Sequence, residues 1–207
     1  MLEEAHAVRA KGFVVVAGYI EPHTRADTMA LLDGLEQIPP LEVKHRGIKL
    51  REFDLVAVLK RRPQIVLVDE FAHTNAPGSR HKKRYQDVEE LLRAGINVFT
   101  TVNVQHLEGL NDKIASITHV SVAERIPDRV FDEAASVELV DIEPDDLIEP
   151  LEAGKIYVPD RARTALGNFF TQKNLAALRE IALRRMADRL TRKAEHAETG
   201  KRTRASE

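Results

Sequence analysis

Ile65-Val66-Leu67-Val68-Asp69-Glu70 is an apolar run that ends in two carboxylates. Consecutive apolar, β-branched-rich positions without polar alternation fit a strand covered on both faces, as in a parallel sheet. With its flanks the strand reads as Gln64–Asp69, and Phe13–Ile20, Asn97–Val102 and Val137–Ile142 share its texture. Leu41–His45 and Ile117–Val122 are weaker strand candidates. Helical patterns fill the gaps at Leu2–Lys11, Thr24–Gln37, Arg51–Arg62, Tyr85–Arg93 and Asp145–Ala153. Gly12, Gly95 and Gly154 stand where helices stop, and Pro39-Pro40 and Pro63 mark two further ends. Strand and helix alternating at this spacing predict a three-layer α/β domain over residues 1–160.

The texture changes near Arg161. Asn174–Leu190 places Leu175, Leu178, Ile181, Ala182, Met186 and Leu190 at helical spacing. Residues 161–193 therefore read as a helical extension, and 194–207 as a polar, frayed tail. Charge follows the same division: residues 1–160 carry 19 basic and 28 acidic side chains, residues 161–207 carry 12 and 5. The overall net charge of −2 excludes a globally basic nucleic-acid coat protein. With 43% hydrophobic and 31% charged residues, the 207-residue chain is expected to fold. It has no cysteine, which excludes disulfides, thiolate metal sites and cysteine nucleophiles. The longest apolar stretch, Gly12–Ile20, is about half a membrane span. The opening Met-Leu-Glu-Glu-Ala has no basic-then-apolar leader, so a soluble, cytoplasmic chain without a membrane span is expected.

A buried strand delivering Asp69 and Glu70 at its C-terminal end places them where open α/β sheets bind ligands. This is the shape of a Walker B element, in which the aspartate holds Mg²⁺ through water and the glutamate polarises an attacking water. The same pattern also describes a strand that surfaces in two solvated acids. In the following loop, Ser79, Arg80, Lys82, Lys83 and Arg84 suit phosphate binding, or else form a solvated basic turn. Without interleaved aromatics the cluster is not read as a nucleic-acid site. Thr100, Thr101 and Asn103 end another strand, either as a γ-phosphate sensor or with Asn103 capping a helix through Leu110. Asp69, Glu70, His73, His81 and His106 make a zinc set on paper, but their spacing does not compel one.

A phosphate-cradling Gly-x-x-x-x-Gly-Lys-Ser/Thr loop is absent from these residues. The Gly-Lys pairs at 154–155 and 200–201 are followed by Ile156 and Arg202, and no two glycines lie two positions apart. The chain opens inside a helix that feeds the first strand. The phosphate loop and its strand are therefore expected immediately upstream of Met1, through a truncated start or a lost site.

Asp69-Glu70-Phe71-Ala72-His73-Thr74-Asn75-Ala76-Pro77-Gly78-Ser79-Arg80-His81, followed by Lys83-Arg84-Tyr85-Gln86-Asp87-Val88-Glu89-Glu90-Leu91-Leu92, resembles the cytoplasmic N-terminal domain of the KdpD family. These are bacterial sensor histidine kinases for potassium and turgor stress. Ala94-Gly95-Ile96-Asn97-Val98-Phe99-Thr100-Thr101-Val102-Asn103-Val104-Gln105-His106-Leu107-Glu108 continues the resemblance, as do Gly154–Pro159 and Asn174–Glu180. It spans roughly residues 1–190. The resemblance implies a P-loop NTPase-like fold with regulatory binding of ATP and Mg²⁺, here without its first strand and Walker A loop. In the family that loop ends a few residues before a Met-Leu pair, which Met1-Leu2 matches. The family's aspartate and glutamate roles fall on Asp69 and Glu70, and Tyr85 stands where tryptophan is common. The implied partners are the rest of a sensor kinase and, through it, a response regulator. None of the eight histidines sits in a phosphoacceptor pattern, so the chain is at most a weak ATPase. Other readings are a small NTPase or nucleotide kinase with its Walker A upstream, or a protein-binding scaffold that has lost nucleotide. A sheet lacking its first strand also suggests a homodimer.

Overall fold

The computed structural model describes residues 1–21, 26–45, 47–152 and 169–204. They form two units, Met1–His106 with Ala123–Ile126, and Leu107–Val122 with Pro127–Glu207.

The first unit begins with α1 (Leu2–Ala10), β1 (Val15–Tyr19), α2 (Ala26–Leu32) and β2 (Glu36–Gln37). A hairpin follows, β3 (Leu41–His45) and β4 (Ile48–Glu52), then α3 (Leu55–Arg61), β5 (Ile65–Val68), α4 (Arg84–Arg93) and β6 (Asn97–Thr100). Gly12 and Gly95, at φ +93° and +80°, follow α1 and α4, as their expected stop positions require. Four strands make one parallel sheet in the order β2-β1-β5-β6, while β3 and β4 pair antiparallel as a separate two-stranded sheet. The parallel strands β1 and β5 are buried along their whole length, which is why they read as unbroken apolar runs. Alternation divides them between two faces. Val15, Ala17, Ile65 and Leu67 pack with Leu2 and Ala5 of α1 and with Leu32 and Leu35. Val16, Val66 and Val68, on the opposite face, are also fully buried.

Gly18 interrupts the β1–β5 register, so that Ala17 pairs with Leu67 but Tyr19 with Val68. A Cβ at Gly18 would lie 2.7 Å from Val66 Cγ2 and 2.9 Å from Phe53 Cε2. The missing side chain lets the strand bend here, immediately before the residues that leave its end.

The second unit contains α5 (Asn111–Thr118), α6 (Asp128–Asp132), α7 (Pro144–Glu152) and α8 (Gln172–Arg204). Arg185 and Arg189 of α8 lie over the Phe131 ring of α6, with their Cζ atoms 4.6 Å and 5.8 Å from its centre. Among the described residues, no helix is long and apolar enough to cross a membrane.

The α/β class, three of the four expected strands and the weaker one at Leu41–His45 are present. The strand expected at Val137–Ile142 is not. Val140 is 75% exposed, and Asp141 and Glu143 instead hold Arg179 through bonds of 2.6–2.7 Å. Ile117 and Thr118 close α5 rather than opening a strand, and His119 turns the chain at φ +57°. The helix expected from Arg51 starts at Leu55, because Asp54 accepts the Ala57 N–H at 2.9 Å and caps it there. Arg51 and Glu52 belong to β4 instead. The helix expected over Thr24–Gln37 is shorter, since Glu36 and Gln37 pair with Val16 and Ala17; Thr24 lies outside the described residues, as do Ala153, Gly154 and Arg161. Asn103 does not cap a helix through Leu110, for two 3-10 turns intervene and α5 begins at Asn111.

Gly18→Ala is expected to lower unfolding stability by about 1–3 kcal/mol through overpacking. Urea unfolding monitored by circular dichroism measures this, and an unchanged midpoint would contradict the close approach of Val66 and Phe53 to Gly18.

Candidate functional site

Asp69 and Glu70 leave the C-terminal end of β5 between the ends of β1 and β6. The Asp69 N–H donates to the Tyr19 carbonyl at 2.9 Å, and the Phe71 N–H to the Thr101 carbonyl at 3.0 Å. Thr101 Oγ1 donates to Asp69 Oδ1, which also accepts the Glu70 N–H at 2.9 Å. The Glu21 N–H approaches Asp69 Oδ2 at 3.3 Å. Side-chain and backbone groups from three strand ends thus orient one carboxylate. Glu70 takes φ +55°, a left-handed conformation uncommon outside glycine.

Below these acids lies Arg84, the first residue of α4, with no exposed surface. Its Nη1 donates to the Asp69 carbonyl at 3.1 Å and its Nη2 to Glu52 Oε2 at 3.2 Å. The guanidinium carbon sits 4.1 Å from the centre of the Tyr19 ring, and Glu70 Oε2 lies 3.7 Å from Nη1. Glu52 comes from the end of β4. Its carboxylate also meets His73 Nε2 at 3.1–3.2 Å and accepts the Ala76 N–H at 2.9 Å. His73 Nδ1 lies 3.9 Å from both Glu70 and Glu124.

The loop between β5 and α4 is held throughout. Thr74 bridges Lys83, the Asn75 N–H donates to the Lys82 carbonyl, and the Thr74 N–H donates to Glu124 Oε1 at 2.7 Å. Asn75 Nδ2 donates to the His81 carbonyl at 3.1 Å and to the buried Asp87 carboxylate at 2.6 Å. Glu90 holds Arg80 and His81, each at 2.7 Å.

The two buried-end glutamates respond oppositely to this environment. For Glu52, burial favours the neutral form, but the bond and charge of His73, the Ala76 N–H and Arg84 outweigh it and lower the pKa. For Glu70, burial dominates, and Glu21 and Asp69 add to it against Arg84 and His73, so the pKa is raised. Burial raises Asp87 as well, against the Asn75 bond, and lowers Lys83. Tyr19 is driven far above the usual phenol range by burial and by its 2.7 Å bond to Glu21.

Of the residues singled out in the sequence, Asp69, Glu70, His73, Thr101 and Arg84 come together. Arg84 faces inward, Arg80 is paired with Glu90, and Lys83 Nζ donates to Thr74 Oγ1 at 2.6 Å. Thr100 Oγ1 is buried with no hydrogen-bond partner among the described residues, Asn103 is exposed beyond β6, and Ser79 and Lys82 lie in the loop. Among the described residues, no group of three or more His, Asp or Glu side chains is placed to hold a metal. The zinc set therefore does not assemble: His81 is held by Glu90, and His106 Nδ1 lies 2.8 Å from the Glu124 carbonyl. Glu21, Glu52 and Glu124 were not visible as site residues in the sequence, because each reaches the cluster from a separate segment.

For an Mg·ATP ligand the fit is partial. Asp69 Oδ2, engaged by the Glu21 N–H at 3.3 Å, has acceptor capacity for a metal-bound water. The cavity at the end of β1, lined by Gly18, Glu21 and Arg51, measures about 120 Å³, below the roughly 300–1,000 Å³ of typical ligand pockets.

The family model describing the KdpD osmosensitive K⁺ channel His kinase sensor domain matches residues 1–190. The sensor protein KdpD of Clostridium acetobutylicum is 57% identical over 97% of this chain, and that of Escherichia coli 55% over 92%. The sensor protein KdpD of Mycobacterium tuberculosis H37Rv is 53% identical over 91%. The matched regions are 22%, 21% and 22% of those relatives, so the chain spans about a fifth of their length.

The opposed carboxylates make opposed predictions. A lowered folded pKa contributes stability that is complete above the unfolded value of 4.5 and is lost as pH falls through the folded value. A raised folded pKa instead makes the ionised group cost stability as pH rises. Glu52→Gln is expected to destabilise at neutral pH by on the order of 3 kcal/mol, by taking from buried Arg84 its nearer carboxylate, and to flatten the acid limb. Glu70→Gln is expected to stabilise at neutral pH. Urea unfolding of each variant at neutral and acid pH checks both signs, and equal effects would contradict the assignment.

Proposed function

This chain belongs to the KdpD sensor-domain family, and we propose that it is the regulatory input module of a sensor kinase responding to potassium limitation or osmotic stress. The observation that carries this reading is the family match over residues 1–190, whose loop residues build the carboxylate–arginine cluster. The module acts through binding and contact with the remainder of the kinase, which passes the signal to a response regulator. Its site is cytoplasmic and takes a nucleotide near Asp69 and Glu70, in a P-loop NTPase-like arrangement. Bound Mg·ATP supplies a triphosphate whose charge the metal partly neutralises.

Within that arrangement Asp69, held by Thr101, would hold the metal ion through water, and Glu70 stands beside it at the strand end with its carboxyl pKa raised by burial. Arg84 serves from below: it fixes the Asp69 carbonyl and offsets the charge of Glu52 and Glu70. The central position of β5 between β1 and β6 supports this reading, because both neighbours contribute groups to the aspartate.

Mg·ATP titration calorimetry tests it, on this chain beside a chimera carrying the family's Gly-x-x-x-x-Gly-Lys-Ser/Thr segment ahead of Met1. Submillimolar binding by the chimera alone, lost on Asp69→Asn, is the expected result. Submillimolar binding by the unextended chain would place the site on the loop cations Arg80, Lys82 and Lys83 instead. Binding by neither would leave a protein-contact module.

A further inference from the structure

The β3–β4 hairpin pairs with no strand of the parallel sheet in its unit. Its residues alternate strictly between two faces. Leu41, Val43, Ile48 and Leu50 share one face, while Glu42, Lys44, Lys49 and Arg51 share the other. The apolar face is only partly covered, with Leu41 46% and Ile48 64% exposed. A two-stranded sheet is marginal in water without further strands or a helix packed on it. Among the described residues β3 pairs with β4 alone. Antiparallel pairing turns the amides and carbonyls of alternate β3 residues away from β4, which leaves an open edge.

The charged face shows what that edge fits. Lys44 stands directly opposite Lys49, a like-charged pair that costs stability. Lys49 Nζ meets Glu42 Oε2 instead, at 3.1 Å. Around Val43, moreover, β3 is its own complement. Laid antiparallel on a second copy with the two Val43 residues opposed, it sets Glu42 of each copy against Lys44 of the other. A slip of two residues either way opposes Glu42 to Glu42 or Lys44 to Lys44. A slip of one turns the charged face against the apolar one. A single register therefore satisfies both charge and face. The β4 strand lacks this property, because a pairing centred on Leu50 opposes Lys49 to Arg51.

We propose that β3 is a homodimerisation edge, through which two copies join their hairpins about a two-fold axis into a four-stranded antiparallel sheet. The apolar faces then lie on one side of that sheet, where the two Val43 side chains cover each other. Each Lys44 gains the carboxylate of the other copy's Glu42, which offsets the lysine facing it within its own hairpin. Two five-residue strands make a small contact against the roughly 1,000 Å² of a stable interface, so the association is weak. It does not depend on nucleotide binding near Asp69.

Sedimentation velocity of the 207-residue chain, at concentrations spanning about 10 μM to 1 mM, is the test. A reversible monomer–dimer equilibrium is expected. Glu42→Lys and Lys44→Glu, both at exposed positions, should each weaken it about tenfold or more, with melting curves little changed. Mixed in equal amounts, the two variants should associate with an affinity near that of the wild type, because each then presents the charges opposite to its partner's. A chain that stays monomeric throughout that range would overturn the proposal. So would a dimer insensitive to both substitutions, which would lie on another surface, or a mixture that associates no better than either variant alone.

Discussion

A guanidinium shut away from water is expensive to bury, and Arg84 is placed where three strand ends must answer for it. Glu52 offsets its charge, the Asp69 carbonyl accepts from Nη1, and the Tyr19 ring receives its face. These partners come from β4, β5 and β1, while the arginine itself opens α4. The other Glu52 contacts extend the constraint into the loop, through the Ala76 N–H and the His73 ring. Removing one charge from such a pair leaves the other buried and unpaired, so the arrangement stands or fails as a unit.

That constraint also explains why chemically similar carboxylates a few ångströms apart behave differently. Glu52 has its donors supplied from several sides and is held ionised. Glu70 projects from a left-handed backbone beside Asp69 and Glu21, where burial and like charge favour its protonated form. Sites that handle charge or protons commonly depend on environments that separate like groups in this way. Asp69 is oriented by Thr101 and by backbone amides rather than by a cation.

The sheet was readable from sequence where burial on both faces forced unbroken apolar runs, as at Val15–Tyr19 and Ile65–Val68. Val137–Ile142 has similar aliphatic residues but is broken by Glu138 and Asp141, and among the described residues no strand pairs with it; Asp141 holds Arg179 instead. The β3–β4 hairpin was only half visible: its second strand, Ile48–Glu52, alternates in a way that also suits the start of a helix. Asp69 and Glu70 were legible because a strand end announces itself. Glu52, the partner on which the cluster depends, sits at the far end of an exposed hairpin and offers no local signal. The basic loop misled in one respect, since Arg84 reads as a surface cation until the fold turns it inward. The loop was nonetheless distinctive enough to suggest a family, and the structure gives a physical reason: Asn75, Arg84 and Asp87 are buried and tied to one another's segments.

Amide hydrogen exchange, compared between the wild-type chain and Arg84→Met, measures how far the strand ends depend on this one side chain. If Arg84 organises them, the Phe71, His73 and Ala76 amides lose protection by about tenfold or more, while Val16, Val66 and Leu67 keep theirs. Unchanged protection at Ala76, or an equal loss throughout the sheet, would show that Arg84 does not organise the site.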